Sequence, residues 1–113
     1  MINNNFEKKL KSKEFVFTAE TSPPDSTVRS EITDRVLCLK DLADAINVTD
    51  GASAKSHLSS LVVSSIIKDI EIEPILQLTT RDRNRIAIQS DLLGAWTLNT
   101  VSYTHLRAHE TSL

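Results

Sequence analysis

Phe15–Asp25 reads FVFTAETSPPD. Its first six residues form an apolar run rich in aromatic and β-branched side chains, and such runs read as strands. The run closes on the carboxylate of Glu20. Pro23 and Pro24 then stop it, because proline gives no N–H to a ladder and restricts the residue before it. Two further runs repeat the arrangement, Ala45–Asp50 (AINVTD) and Pro74–Thr80 (PILQLTT). The three begin about thirty residues apart, the length of one βα unit. Each collects its polar groups at its C-terminal end: Glu20, then Thr49 and Asp50, then Gln77, Thr79 and Thr80. Parallel α/β proteins place their active sites at that end of the strands. Alternating strand and helix patterns imply parallel pairing with right-handed crossovers. A doubly wound sheet would show a glycine fingerprint behind its first strand, and TSPPD contains none. The reading is therefore α/β, an incomplete (β/α)8 TIM barrel. Residues 1–100 form its N-terminal part and supply the first three βα units.

The intervening segments carry helical periodicity. Residues 4–13 place Phe6 and Leu10 four apart, as a short helix capping the bottom of a sheet would. Ser26 or Thr27 is the expected N-cap of a helix running to about Leu42. Its buried stripe would be Val28, Ile32, Val36, Leu39 and Leu42, with Cys38 packed beside it. A helix from about Ser53 to Ile70 puts Leu58, Leu61, Val62, Ile66 and Ile70 on one face. Ser56, Ser59, Ser60 and Ser64 would form its solvated side. A last helix follows Arg81–Arg85 and uses Ile86, Ile88, Leu92, Leu93, Ala95 and Leu98, with Trp96 read as packing. Arginines beside Asp82 and Asp91 predict local salt bridges.

Composition narrows the function classes. Aromatic residues are only 4% of the 113, so the core must come from Leu, Ile, Val and Ala. A net charge of −2 gives no electrostatic case for nucleic acid or an anionic membrane. No apolar run approaches bilayer length, and the polar N-terminus lacks a signal-peptide core. Cys38 is the only cysteine, which excludes an intrachain disulfide. The expected location is cytoplasmic.

Glu20 is the candidate catalytic acid. At the end of an apolar strand, low dielectric favours a protonated carboxyl that can act near neutral pH. A turn-capping or Arg81-paired glutamate is the structural alternative. Thr49-Asp50-Gly51 offers a hydroxyl, a carboxylate and exposed backbone amides. Gln77 is a polar residue inside an apolar strand and needs a partner, because an unsatisfied buried amide costs about 1–3 kcal/mol. His57 has no metal-ligand companion at suitable spacing and reads as a surface or capping histidine.

Val101–Thr111 reads VSYTHLRAHET, without apolar alternation or turn chemistry. It resembles the translation of a sequencing adapter. Residues 101–113 are set apart as an expected non-native tail, and the spacing of His105, His109 and Glu110 is then no metal site.

The segments FTAETSPPDS, INVTDGASA and EPILQLTTRDRNRIAIQSDLLGA resemble the methylenetetrahydrofolate reductase family, over about residues 14–99. The third segment is most similar to the branch found in anaerobic and acetogenic bacteria. The resemblance implies a flavin-dependent barrel enzyme of one-carbon metabolism. FAD would be its cofactor and 5,10-methylenetetrahydrofolate its substrate, reduced to 5-methyltetrahydrofolate. It implies Glu20 as the acid that protonates the departing nitrogen. Thr49 would lie near the flavin or nicotinamide ring, with Asp50, Ala52 and Gln77 at flavin-contact positions. Many members have tyrosine at Asp50 and histidine at Gln77. The electron donor stays open between NAD(P)H and a reduced carrier from a partner subunit. For a full-length protein, a homo-oligomer or a partner electron-transfer subunit is compatible with the family. No metal is implied. Three units would leave the barrel open, so the chain by itself is expected to be inactive. Two other readings stand beside this one: a catalytically inactive α/β interaction module, and another pterin-utilising barrel enzyme.

Overall fold

The computed structural model describes residues 5–100 and 102–106. The order of elements is α1 (Asn5–Lys11), β1 (Thr18–Thr21), α2 (Arg29–Leu37), β2 (Ala45–Val48), α3 (Ser60–Asp69), β3 (Pro74–Thr79), α4 (Arg85–Thr97) and β4 (Ser102–Leu106). Short 3-10 turns at Ala52–Ala54 and Thr80–Asp82 follow β2 and β3. The four strands form one sheet in the order β1-β2-β3-β4, and every neighbouring pair is parallel. Sequential parallel order is the winding of a (β/α)8 barrel, whereas a doubly wound sheet reverses its strand order partway. The fold is α/β, with four strands arranged as part of such a barrel.

Alternation along the strands sorts the side chains. Ile46 and Val48 of β2 pack with Ile32 and Val36 of α2 and with Val63, Ile66 and Ile67 of α3. Leu76 and Leu78 of β3 pack with Ala95 of α4, flanked by Leu61 and Leu92. The helices thus cover one face of the sheet. The other face carries the alternate residues. In-register partners in a parallel sheet share a side, so Glu20, Asn47, Ile75 and Ser102 make one row there, and Gln77 and Thr104 belong to the next.

Several boundaries differ from expectation. β1 starts at Thr18, not Phe15, because the chain before Ala45 is turn and offers no ladder to Phe15–Phe17. Asp44 instead engages both backbone groups of Phe17: its Oδ2 accepts from Phe17 N at 2.9 Å, and its N–H donates to Phe17 O at 2.8 Å. The rings of Phe15 and Phe17 are exposed and meet edge-on at 4.8 Å. α2 begins after Val28, which has no side-chain cap, while Ser26 Oγ accepts from Val28 N. The helix ends at Leu37 and continues as turns, which leaves Cys38 and Leu42 exposed. α3 starts late, at the Ser59 cap, whose side chain accepts from Val62 N.

The buried face of α3 is also rotated. Ser60 and Ser64 are fully buried beside Val63 and Ile67, whereas Val62 is exposed. Small serines let the helix lie close to β3, and Ser60 Oγ donates to Gln77 O at 3.0 Å, which satisfies its own hydroxyl. On α4 only Ala95 is buried, and Trp96, Ile86 and Leu93 are exposed.

Three helices end in the same way. Lys13, Glu71 and Asn99 adopt left-handed φ of 59°, 64° and 60°. After α3, Glu71 N donates to Lys68 O and Ile72 N to Ile67 O, the paired bonds of a Schellman cap, and the same pairs recur at Lys13–Glu14 and Asn99–Thr100. Glycine is the usual residue there, and this chain has only two glycines.

The fourth strand lies in the stretch expected to lack one. Five residues from Ser102 to Leu106 pair in register with Ile75–Thr79. An edge strand needs backbone partners more than apolar alternation, and β3 supplies the ladder. Thr80 Oγ1 adds a hydrogen bond to Leu106 O at 3.0 Å. His105 lies within this strand against Tyr103, with ring centroids 5.1 Å apart. His109 and Glu110 lie outside the described residues.

Candidate functional site at the strand C-termini

The open face of the sheet brings together residues from three strands. Glu20 pairs in register with Asn47, and Gln77 Nε2 lies 3.5 Å from Asn47 Oδ1. Asn47 Nδ2 reaches Ala19 O at 3.4 Å. These are long contacts, so both amides keep hydrogen-bonding capacity. The Glu20 side chain is exposed, and its carboxylate has no hydrogen-bond or ion-pair partner among the described residues. It is not paired with Arg81, which binds Asp82 at 2.8 Å. Among the described residues none covers this face at Glu20, so the low-dielectric setting expected of it is not provided by them. Thr49 Oγ1 donates to Ser22 Oγ at 3.1 Å, and Thr49 N to Thr21 O, which draws the loop behind β1 onto the end of β2.

Asp50 is engaged by the fold. Its Oδ2 accepts from Thr79 N at 2.8 Å and from Arg83 Nη1, while its carbonyl accepts from Thr79 Oγ1 at 2.9 Å. Arg83 also donates to Asp91 Oδ2 at 2.9 Å and to Thr79 O at 3.0 Å. The hydrogen bond to Asp50, and then the charges of Asp50 and Asp91, hold this guanidinium above its ordinary value against the opposing cost of burial. Asp82 lies below the ordinary carboxylate range, chiefly because Arg81 donates to it. Both salt bridges expected of the charged run are therefore present. The run does more than solvate a loop, since Arg83 locks the end of β2 to the end of β3.

Gly51 has a φ of 56°, and a Cβ there would sit 3.2 Å from Arg81 Nη2. Ser53 and Ala54 share the left-handed conformation without being glycine. Ala52 lies in this turn, with its carbonyl facing His57 Nε2 at 3.2 Å. His57 is half-buried, and its Nδ1 also faces Pro23 O at 2.8 Å.

Glu20, Thr49 and Gln77 thus gather on or beside the open face, while Asp50 and Ala52 serve the adjoining loops. Sequence reading missed Asn47, Arg83 and His57 as members of this end. Asn47 had a signal, being the second amide on the inner positions of an apolar strand. A cavity of about 570 Å³ opens at the opposite end of the sheet. The Lys9–Asp44 and Lys68–Glu73 ion pairs line it, and none of the candidate site residues does. Among the described residues no cluster of His, Cys, Asp and Glu could hold a metal, and no helix is long and apolar enough to cross a membrane.

No curated protein matches the chain. Residues 5–103 match the family model described as methylenetetrahydrofolate reductase, which is nearly the whole chain, and the protein belongs to that family.

Proposed function

We propose that this chain is the N-terminal part of a flavin-dependent oxidoreductase that reduces 5,10-methylenetetrahydrofolate to 5-methyltetrahydrofolate in the cytoplasm. The observation that carries the reading is the grouping of Glu20, Asn47 and Gln77, from two adjacent rows, on the uncovered face of a parallel sheet, in a chain of this family. The fold consumes neither the carboxylate nor the full capacity of the two amides.

The residues fit a flavin in part. Asn47 and Gln77 offer donors and acceptors suited to the polar edge of a flat heterocycle, and Thr49 adds a hydroxyl. Asp50 is committed to Arg83 and Thr79, so its role toward a cofactor is to hold the strand end in place, and Ala52 contributes backbone. When bound and reduced, FAD supplies the hydride. Glu20 gives its proton to the departing ring nitrogen of the folate as the five-membered ring opens to an iminium. Proton donation of this kind contributes roughly 10²–10⁴-fold. The electrons would come from NAD(P)H or from a reduced carrier. The segment EPILQLTTRDRNRIAIQSDLLGA is the basis for the anaerobe and acetogen branch, and Asp50 and Gln77, where many members have tyrosine and histidine, fit a divergent branch. The family match runs to residue 103, three residues into the stretch set apart as non-native.

Four of the eight strands of a barrel leave the inner face open. The 113-residue chain alone is therefore expected to be inactive and to hold no stoichiometric FAD, and a flavin band copurifying with refolded chain would contradict that. The decisive experiment grafts residues 5–100 into a family reductase in place of the corresponding units. The graft should retain flavin and reduce methylenetetrahydrofolate. Glu20→Gln should keep the flavin spectrum and lose about 10²-fold or more in turnover. A folded, flavin-loaded graft without turnover would sink the substrate assignment, and unchanged turnover in the variant would remove Glu20 as the acid.

A further inference from the structure

Pro23 and Pro24 have no N–H, so the loop behind Glu20 is held through its carbonyls and side chains. Each of three successive carbonyls has its own donor. Arg35 Nη1 donates to Ser22 O at 3.0 Å, His57 Nδ1 faces Pro23 O at 2.8 Å, and Leu58 N donates to Pro24 O at 2.9 Å. The second ring nitrogen of His57 faces Ala52 O at 3.2 Å, in the loop behind Asp50. A carbonyl oxygen only accepts. A neutral imidazole has one N–H and an imidazolium has two. Only the protonated ring can therefore satisfy both carbonyls at once.

We propose that His57 is a positioning residue, a proton-dependent staple between the loop that follows Glu20 and the loop that follows Asp50. The imidazolium ties Pro23 to Ala52. The neutral ring keeps the shorter bond to Pro23 and turns a lone pair toward the Ala52 carbonyl, which releases that loop. The loop is built to respond, since Gly51, Ser53 and Ala54 all hold left-handed φ, between 55° and 59°, and two of them carry a Cβ that disfavours it. Among the described residues its other hydrogen bonds include Ala54 N to Gly51 O, Lys55 N to Ala52 O and Arg81 Nη2 to Gly51 O at 3.4 Å. The two loops that the ring touches carry Asp25 on the first and Asp50 and Lys55 on the second, and Arg81 reaches the second through Gly51 O. None of the ion pairs among the described residues includes His57. Unperturbed imidazoles change charge between about pH 5 and 8, which sets the range of the test. The consequence for catalysis, a Glu20 loop registered against the flavin-side loop, rests on the function proposed above; the staple itself rests on geometry alone.

The test uses the ¹⁵N-labelled 113-residue chain between pH 5 and 8. Long-range ¹H–¹⁵N spectra report the protonation of each His57 ring nitrogen, and amide spectra report the loops. The amides of Gly51–Lys55 should titrate with the midpoint of the His57 ring. Their hydrogen exchange, corrected for its intrinsic pH dependence, should become roughly three- to tenfold faster once the ring is neutral, the effect of one lost hydrogen bond. His57→Gln, with a single side-chain donor group, should abolish the titration while the amides of Ile46 and Val48 stay in place. The idea fails if the ring titrates and the loop amides do not follow, or if the loop titration persists in His57→Gln. It also fails if the wild-type ring stays neutral throughout, an outcome that needs no variant to fold. Because none of these readouts involves turnover, an inactive Glu20 graft would leave the staple standing, and a failed staple would leave the Glu20 assignment standing.

Discussion

Leu76 and Gln77 are neighbours in β3, yet they face different surroundings. Leu76 is fully buried under α4 with Leu78 and Ala95, while Gln77 lies on the uncovered face with a single long contact to Asn47. The same alternation separates Ile46 from Asn47 in β2. One face of the sheet holds the fold together, and the other leaves its polar groups uncommitted. A strand can serve both purposes because its side chains alternate with a period of two. Stability and chemistry are then divided residue by residue, not region by region.

The sharpest way to break this comparison is to truncate both neighbours. Leu76→Ala should cost about 3 kcal/mol, from lost apolar burial and the cavity left behind. Gln77→Ala should cost well under about 1 kcal/mol, since little is lost with one long contact. Urea unfolding monitored by circular dichroism measures both, and equal losses would mean that the open face is structural after all.

The rim of the open face should behave differently from its middle. Asp50→Ala removes the acceptor of Thr79 N–H and the partner of Arg83, two charge-assisted contacts at a half-buried site. We expect a loss of about 2 kcal/mol. The loss should be accompanied by faster amide exchange at Thr79, with the core strands less affected. A neutral effect on stability would show that Arg83 finds an equivalent partner.

Acid probes the far end of the sheet. Lys9 and the Phe17 N–H donate to Asp44 and hold its carboxyl below the ordinary value. As pH falls the unfolded chain takes up this proton first. The contribution is therefore complete above about pH 4, the ordinary range for aspartate, and is lost as pH drops through the lowered folded value. Asp44→Asn should flatten the stability profile between pH 5 and 3 relative to wild type. Identical slopes would exclude the Lys9–Asp44 pair as a source of acid sensitivity.

The smallest expected change is a gain. Glu71 occupies the left-handed position of a Schellman cap, where a Cβ costs roughly 1 kcal/mol. Glu71→Gly should raise stability by about that amount, with its loose pairing to Lys40 at 3.9 Å offsetting little. Asn99→Gly should gain less, because asparagine tolerates this conformation. A thermal melt of each variant is sufficient, and a destabilised Glu71→Gly would argue that the Lys40 pair matters more than its geometry suggests.

Much of this was legible in the residues. The runs at Ala45 and Pro74 became strands, and the arginines found Asp82 and Asp91. What escaped detection depended on partners distant in sequence. Phe15 and Phe17 have strong strand propensity, but the register of β1 against β2 leaves them nothing to pair with. Ser60 and Ser64 look solvent-facing by composition, yet the close approach of α3 to β3 buries them. Ser102–Leu106 has no apolar signal, yet β3 supplies a ladder for it. Asn47 carries the same signal as Gln77, an amide inside an apolar strand, but only the register of β1 and β3 sets Glu20 and Gln77 beside it.

By itself, the sequence determined the alternation of strand and helix, the absence of a glycine-rich phosphate loop and the gathering of polar groups at strand ends. Each of these is a local pattern, fixed by side-chain period and backbone freedom over a few residues. Tertiary structure alone decided which face of each helix is buried and which carboxylate is spent on the fold. It also decided that His57 spans two loops. Those outcomes follow from parallel register and helix-on-sheet packing, which join residues about thirty positions apart. No local pattern records which of several compatible partners the packed chain will bring within hydrogen-bonding distance.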